Sequence, residues 1–407
     1  MRVVMVTPYP PKPDGIGEHT RMLVHALSSF DDVGVDVLTL RRPAPDRPEP
    51  HVHRSLSVAP WAAWATMRML RRARPDIVHI QFAVPALGLS GLGAVVAGAW
   101  VRRTCGTRLV ITLHEVRREL DLLRGVGRGV YRFLVALADV VVVHTSEARD
   151  LVVRECGAHP DAVVLTPLGA EPPVDELVES AVLADVRSRH GLTNRPVALC
   201  FGYLHPDKGI EHLVEAVERL RSRSLSGADD FDVVIAGAVR PRSGVFRLFG
   251  LKDRAYESEL RESVRAAGLS DQVRFVGFVP RDDVPALFTL ARTVVMPCRK
   301  VTQSSVLGSV IAAGTPVIAS DLPGLRETLG DAGILVQPGH PDEIADALSA
   351  VVSDDRFASE LRGRARRRSD AISLATVAAS LRDVYGDLVG ECPGVPPPRS
   401  KLAVGGG

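Results

Sequence analysis

Paired cysteines are missing from this chain. Its five cysteines, Cys105, Cys156, Cys200, Cys298 and Cys392, lie far apart, and no CxxC pair occurs. This spacing argues against both zinc and disulfide frameworks and fits a reducing compartment. An excess of charge is missing too. Lys+Arg number 50 against Asp+Glu 48, a net charge of +2, so nothing points to nucleic acid as a partner. The start, MRVVMVTPYPP, has no long apolar core ahead of a small-residue cleavage site, so no signal peptide is expected. No internal sequence repeat is found. One long run lacks charge: the 20 residues Phe82–Val101, followed by Arg102 and Arg103. That length could cross a membrane. But Pro85, Gly88, Gly91, Gly93 and Gly98 interrupt it, and it follows directly on the strand pattern DIVHIQF. A buried core helix after a strand is the expectation.

What is present reads as two α/β domains. At 407 residues the chain is long for one domain, and 46% apolar residues can bury two cores. The runs RVVMVTPYP (2–10), VDVLTL (35–40), DIVHIQF (76–82), RLVITLHE (108–115), DVVVVHT (139–145) and AVVLTPLG (162–169) are short and β-rich, with helical patterns between several of them. Apolar runs without alternation are the mark of parallel strands buried on both faces. AEPPVDELVES (170–180) reads as a linker. A second series then runs from PVALCFGYL (196–204) to AGILVQP (332–338) and the helix PDEIADALSAVVSD (341–354). The expected organisation is an N-terminal Rossmann-like domain over 1–175 and a second over 176–373. A last helix over 374–388, expected to cross back to the first domain, precedes a tail over 389–407 that is expected to be disordered.

Ligands of open α/β sheets bind beyond the carboxyl ends of the strands, so the loops after strands matter most. In PYPPKPDGIGEHT (8–20), Gly15 and Gly17 precede a helix, a place suited to phosphate; a plain strand-to-helix turn is the alternative. In FGYLHPDKGIEHL (201–213), Lys208 stands at the start of a helix, where a cation opposes the helix dipole. An anion nearby would explain it; a solvated lysine is the alternative. In RKVTQSSVLGSVIAAGTPVIASD (299–321), Gln303, Ser304 and Ser305 offer amides and short polar side chains before a helix from Val306 to Ala313. An ordinary N-cap serving no ligand is the alternative.

These stretches, with ITLHE, ADVVVVHT, VRFVGFVPRDDVPALF and AAGTPVIASDLPGLRE, resemble in order and spacing the retaining nucleotide-sugar glycosyltransferases of family 4, which have the two-domain GT-B fold. The resemblance covers nearly the whole chain. It implies two Rossmann-like domains facing each other across a cleft, with the acceptor on the N-terminal domain and the nucleotide sugar on the C-terminal one. It implies that Gly15, Gly17 and Lys208 bind the donor diphosphate, and that His114 lies beside the donor sugar. Glu327, in GLRE, matches a position that reaches the nucleoside; a charge complementing a helix N-terminus is its alternative. No metal or other cofactor is implied, and no Asp-x-Asp motif stands on a suitable loop.

The chain departs from the family pattern in two places. Ser309 and Val301 stand where the family has a pair of glutamates, and Tyr203 stands where it has an arginine. Gln303 and the serine hydroxyls are expected to replace the lost carboxylates. Rival readings are a catalytically impaired GT-B binding or regulatory protein, a sugar-nucleotide epimerase, and a membrane transport component. Retained Lys208 and His114 oppose the first, and the lack of a convincing carboxylate pair opposes the second. The acceptor is expected to be a glycan, a lipid-linked or a small molecule. APWAAWATMRMLRRARPD (59–76) sets Trp61, Trp64, Met67 and Leu70 three apart beside four arginines. A helix of that kind can lie on an anionic membrane; packing on its own domain is the alternative. The expected location is cytoplasmic, extending to the inner face of the membrane.

Overall fold

A computed structural model of the protein describes residues 1–11, 14–41, 49–57, 62–170, 179–223, 230–239 and 247–390. Most of the 170–180 stretch, Trp61 and residues 391–407 lie outside them. The chain divides into two compact units: Met1–Gly169 with the C-terminal helix, and Ala170–Ser373.

The first unit carries strands β1 (Arg2–Val6), β2 (Gly34–Leu40), β3 (Val52–Leu56), β4 (Ile77–Phe82), β5 (Arg108–Leu113), β6 (Val140–Val143) and β7 (Val163–Leu165). They form one parallel sheet in the order β3-β2-β1-β4-β5-β6-β7. Helices α1 (Gly15–Leu27), α2 (Ala62–Ala73), α3 (Val84–Cys105), α4 (Val116–Leu137) and α5 (Ser146–Cys156) connect them. The Val-rich runs form central strands because both their faces are covered; all four residues of β6 are buried. β3 escapes a reading by apolar runs: VHRSL sits at the sheet edge and is half exposed.

The uncharged run beginning at Phe82 becomes the end of β4 and most of α3. Gly88, at φ 53°, kinks the helix, and Gly98 passes so close to β5 that a Cβ there would meet a Leu109 methyl at 3.0 Å. Among the described residues, no helix is long and apolar enough to cross a membrane. The basic aromatic helix α2 turns Ala62, Thr66 and Leu70 inward at i, i+4 spacing and Trp64 outward under Arg68. Trp64 and Leu70 therefore do not share a face.

The second unit carries α6 (Ser180–Arg189), β8 (Val197–Phe201), α7 (Ile210–Ser222), β9 (Asp232–Ala236), α8 (Arg247–Ala266) and β10 (Val273–Gly277). It continues with α9 (Val284–Leu290), β11 (Thr293–Met296), α10 (Ser305–Ala312), β12 (Val317–Ser320), α11 (Pro323–Leu329), β13 (Gly333–Val336), α12 (Pro341–Ser353) and α13 (Asp355–Ala371). Its sheet is again parallel, in the order β10-β9-β8-β11-β12-β13. Both units are therefore doubly wound Rossmann-like folds. Strand order reverses between β1 and β4 in the first and between β8 and β11 in the second, and these switch points are where such sheets bind ligands.

The last helix, α14 (Leu374–Gly390), belongs to the first unit. Its Leu374, Val377, Ala378, Leu381, Tyr385 and Leu388 join a core with Val3, Met5, Leu23 and Leu27. Full burial of each Leu or Val among them contributes about 1.5–3 kcal/mol against leaving the side chain in water. Arg382 pairs with Asp32 at 2.9 Å on the outer side.

Candidate active site

In the second unit, the loops after β8 and β11 are tied into one body. Pro206–Lys208 form a short 3-10 turn after β8, so Lys208 precedes α7 and is not in its first turn. Gly209 follows at φ 61°, a left-handed conformation that favours glycine. A Cβ on Gly209 would lie 2.2 Å from the Pro297 carbonyl oxygen at the end of β11. The amides of Arg299 and Lys300 both donate to the Asp207 carbonyl, at 2.8 and 3.3 Å. Arg299 also pairs with Glu211 at 2.5 Å. Gly324, at the start of α11, completes the cluster: its Cβ would meet the Thr302 carbonyl oxygen at 2.0 Å. The carboxyl ends of β8, β11 and β12 are thus drawn together at the switch point.

Lys208 is partly buried, and among the described residues no carboxylate pairs with it. Its Nζ would lie 3.7 Å from a Cβ on Gly202. Burial pushes the Cys200 thiol up to about 12, and the positive charge of Lys208 pulls the other way; the same pair of effects acts on Cys298. Ser304 caps α10, its hydroxyl accepting from the Leu307 amide at 3.2 Å, and Ser305 is the exposed first residue of that helix. The Gln303 amide nitrogen is buried with no partner among the described residues. Ser309 is exposed on α10 and donates to the Ser305 carbonyl, whereas Val301 packs against the apolar core. Neither replaces a carboxylate chemically. Asp321 is held by Arg326 at 2.6 Å, which keeps its carboxyl below the usual range. Glu327 lies in the later half of α11, so it does not complement that helix's N-terminus.

In the first unit, Asp14 caps α1 and accepts from the amides of Ile16 and Gly17 at 3.0 and 3.1 Å. Gly17 is needed for packing, because a Cβ there would meet the Pro8 carbonyl at 3.0 Å. Gly15 faces open space and has no positive φ, so neither packing nor conformation requires a glycine there.

His114 follows β5 and is buried, its Nε2 2.7 Å from Gln81 Oε1. Two more buried histidines surround it, with ring centroids 5.0 Å (His144) and 6.0 Å (His19) away. His144 Nδ1 donates to the Thr166 carbonyl at 3.0 Å, and His19 Nε2 to the Leu168 carbonyl. Despite this clustering, no group of three or more His, Cys, Asp or Glu among the described residues is arranged to hold a metal ion.

Burial holds these imidazoles neutral. His19 and His144 are lowered to about 4 and His79, on β4, to about 3; His114 lies well below its ordinary value for the same reason. Their unfolded values are near 6.5. Above that pH both states are neutral and the histidines contribute nothing to pH dependence. Between 6.5 and about 4 the unfolded chain binds protons that the folded chain refuses, so stability falls as pH falls. Each such group contributes up to about 1.4 kcal/mol per pH unit. Urea midpoints should therefore drop steeply from pH 7 to pH 5; equal midpoints would contradict this reading of the cluster.

Sequence reasoning singled out Lys208 and His114 but not the close approaches of Gly209 to Pro297 and of Gly324 to Thr302, nor Gln81 beside His114. Of these, Gly324 had a signal, the P-G dipeptide after a strand.

Comparison with known proteins follows the same division. Residues 13–172 match the family model for Glycosyltransferase Family 4, and residues 184–368 the model for Glycosyl transferases group 1; together these span most of the chain. The chain is 26% identical over 297 residues to the alpha-D-kanosaminyltransferase of Streptomyces kanamyceticus, covering 70% of this chain and 72% of that protein. It is 32% identical over 267 residues to the D-inositol 3-phosphate glycosyltransferase of Salinispora tropica, covering 63% of this chain and 53% of that one. Its fold matches the crystal structure of Anabaena Alr3699/HepE in complex with UDP, with TM-score 0.69 at 18% identity, over 95% of this chain and 100% of that one. Two Rossmann-like units with this sheet order and these matched regions have one assignment: the chain belongs to the family 4 glycosyltransferases, enzymes of the GT-B class.

Proposed function

We propose that this glycosyltransferase moves a sugar from a nucleoside-diphosphate sugar to an acceptor hydroxyl with retention of configuration. The observation that carries the reading is Lys208: a partly buried cation, without a carboxylate partner among the described residues, at the switch point of the second sheet. A half-buried cation with no counterion gains from a bound anion, so such a lysine fits one. The segment after β11 is tied to the Lys208 loop at Arg299 and Lys300 and runs on through 303–305 into the amino end of α10, a setting favourable to phosphate. The Gln303 amide nitrogen, buried with no partner among the described residues, suits an oxygen of the donor. In this reading Glu327 reaches the nucleoside, His114 stands beside the transferred sugar, and Gly15 and Gly17 approach the diphosphate. Nothing in the packing requires a glycine at Gly15, which fits close approach of a ligand.

The chemistry asks little of the side chains. As the sugar–phosphate bond breaks, negative charge develops on the departing diphosphate. Lys208 and the loop amides stabilise that charge, and preorganised donors of this kind usually contribute the largest catalytic term. The acceptor hydroxyl enters on the face the diphosphate leaves, and a phosphate oxygen takes its proton, so neither a dedicated base nor a metal is needed. The UDP held by the Anabaena structure supports a nucleotide donor. The acceptor of the present chain is proposed to be a glycan, lipid-linked or small polyhydroxylated molecule. The test is turnover of a panel of nucleoside-diphosphate sugars with and without EDTA. Diphosphate release unchanged by the chelator is expected; reversible loss of activity on chelation would overturn the metal-free reading.

A further inference from the structure

Every residue of β4 is buried, yet two of them, His79 and Gln81, are polar. Buried polar groups need partners, and these form a chain. Gln81 Oε1 lies 2.7 Å from His114 Nε2, and the Gln81 amide nitrogen lies 3.4 Å from both Met5 Sδ and His79 Nε2. His79 Nε2 is also 2.7 Å from the Thr112 hydroxyl, and His79 Nδ1 is 2.5 Å from the Tyr385 hydroxyl on α14.

The chemistry of these atoms fixes the direction of each bond. A separation of 2.7 Å suits N–H···O and is short for two nitrogens. The other end of the amide faces a thioether sulfur, which only accepts. Both facts turn the Gln81 carbonyl to His114. A carbonyl oxygen only accepts, so His114 Nε2 carries the proton and Nδ1 keeps its lone pair. The Gln81 amide nitrogen donates, so His79 Nε2 accepts, with the Thr112 hydroxyl as a second donor. His79 Nδ1 then carries the proton that points to Tyr385.

We infer that Gln81 is a positioning residue for glycosyl transfer: it locks His114 in the Nε2–H form and presents an unprotonated Nδ1, with the proton order anchored through His79 to Tyr385 of the C-terminal helix. The inference rests on the reading of His114 given above. It accounts for two polar side chains inside a fully buried strand and for the tyrosine in the apolar face of α14. The titratable neighbours of His114 are His19, His79 and His144, all buried and neutral.

Long-range 1H–15N NMR on histidine-labelled protein reads the tautomers directly. Nε2–H at His114 and Nδ1–H at His79 are expected; the reverse pattern overturns the inference. Gln81→Met keeps the volume and removes the hydrogen bonds. It should lower kcat roughly 10- to 100-fold, as loss of a residue orienting a functional histidine does, with donor KM within about twofold. Gln81→Glu keeps an acceptor for His114 and places a negative charge beside it, which favours the imidazolium. It should retain more activity than Gln81→Met and move the acid limb of the pH–rate profile upward, and that shift decides the matter if Gln81→Met fails to fold. Wild-type kcat in Gln81→Met, or an unmoved acid limb in Gln81→Glu, overturns the inference. His114→Ala separates the two claims. If that variant is fully active, the role of His114 itself is wrong; if it is impaired while Gln81→Met is not, only the positioning role fails.

Discussion

Lys208→Ala is expected to lower turnover by about 100- to 1000-fold while leaving the melting temperature without nucleotide unchanged. The first half follows from where the charge acts. A contact made to charge that develops in a water-excluded site is worth about 3–4 kcal/mol of transition-state stabilisation. The second half follows from what Lys208 lacks. Among the described residues it has no ion pair to lose, and a partly exposed side chain contributes little to folding. The variant should also lose the rise in melting temperature that a bound donor gives the wild type. A fully active Lys208→Ala would mean that this loop binds something but that the proposed mechanism does not run there. His114→Ala should be impaired as well, through the sugar and not the diphosphate.

Gly209→Ala should destabilise the second unit strongly. Two independent costs meet there. An L-residue at φ 61° costs roughly 1–2 kcal/mol. The added Cβ would also stand 2.2 Å from the Pro297 carbonyl oxygen, so backbone must move, at roughly a further 1–3 kcal/mol. For a unit of this size each kcal/mol is roughly 2–4 °C, so a fall of roughly 4–20 °C is expected. Activity should fall with it, because Lys208 precedes Gly209 and shares the displaced loop. Gly15→Ala is the control for the thermal effect: its Cβ enters open space, and its melting temperature should match the wild type. Equal melting temperatures for Gly209→Ala and Gly15→Ala would contradict the close approach of the β8 and β11 loops.

The fold was legible where physics is local. Runs such as VVVV in β6 have one economical reading, a strand covered on both faces, and helices between such runs imply parallel pairing. Legibility failed where the pattern is weak or the partner distant. β3 has too few apolar residues to be seen, and α13 hides Ala358, Leu361 and Ala365 among arginines. In 59–76 the three-apart spacing does not mark the buried face; the helix buries Ala62, Thr66 and Leu70, at four-residue spacing.

The site divides in the same way. Lys208 stood out in the sequence as a cation at a helix start, although it precedes α7 and lies outside its first turn. The tie between Asp207 and the amides of Arg299 and Lys300 was not visible, since a carbonyl carries no residue signature. Nor was the path from Gln81 through His79 to Tyr385, whose last two members stand 306 residues apart. What the sequence could not supply was the amide nitrogen of Gln303, buried with no partner among the described residues.

The most direct test of the central claim is the anomeric configuration of the product. Purified enzyme is supplied with a panel of nucleoside-diphosphate sugars and polyhydroxylated acceptors. Diphosphate release is followed by 31P NMR and the new glycosidic bond by its 1H coupling constant. The account predicts release from at least one donor, a product with the donor's own anomeric configuration, and loss of both signals in Lys208→Ala. A product of inverted configuration, or transfer that does not depend on Lys208, would contradict it.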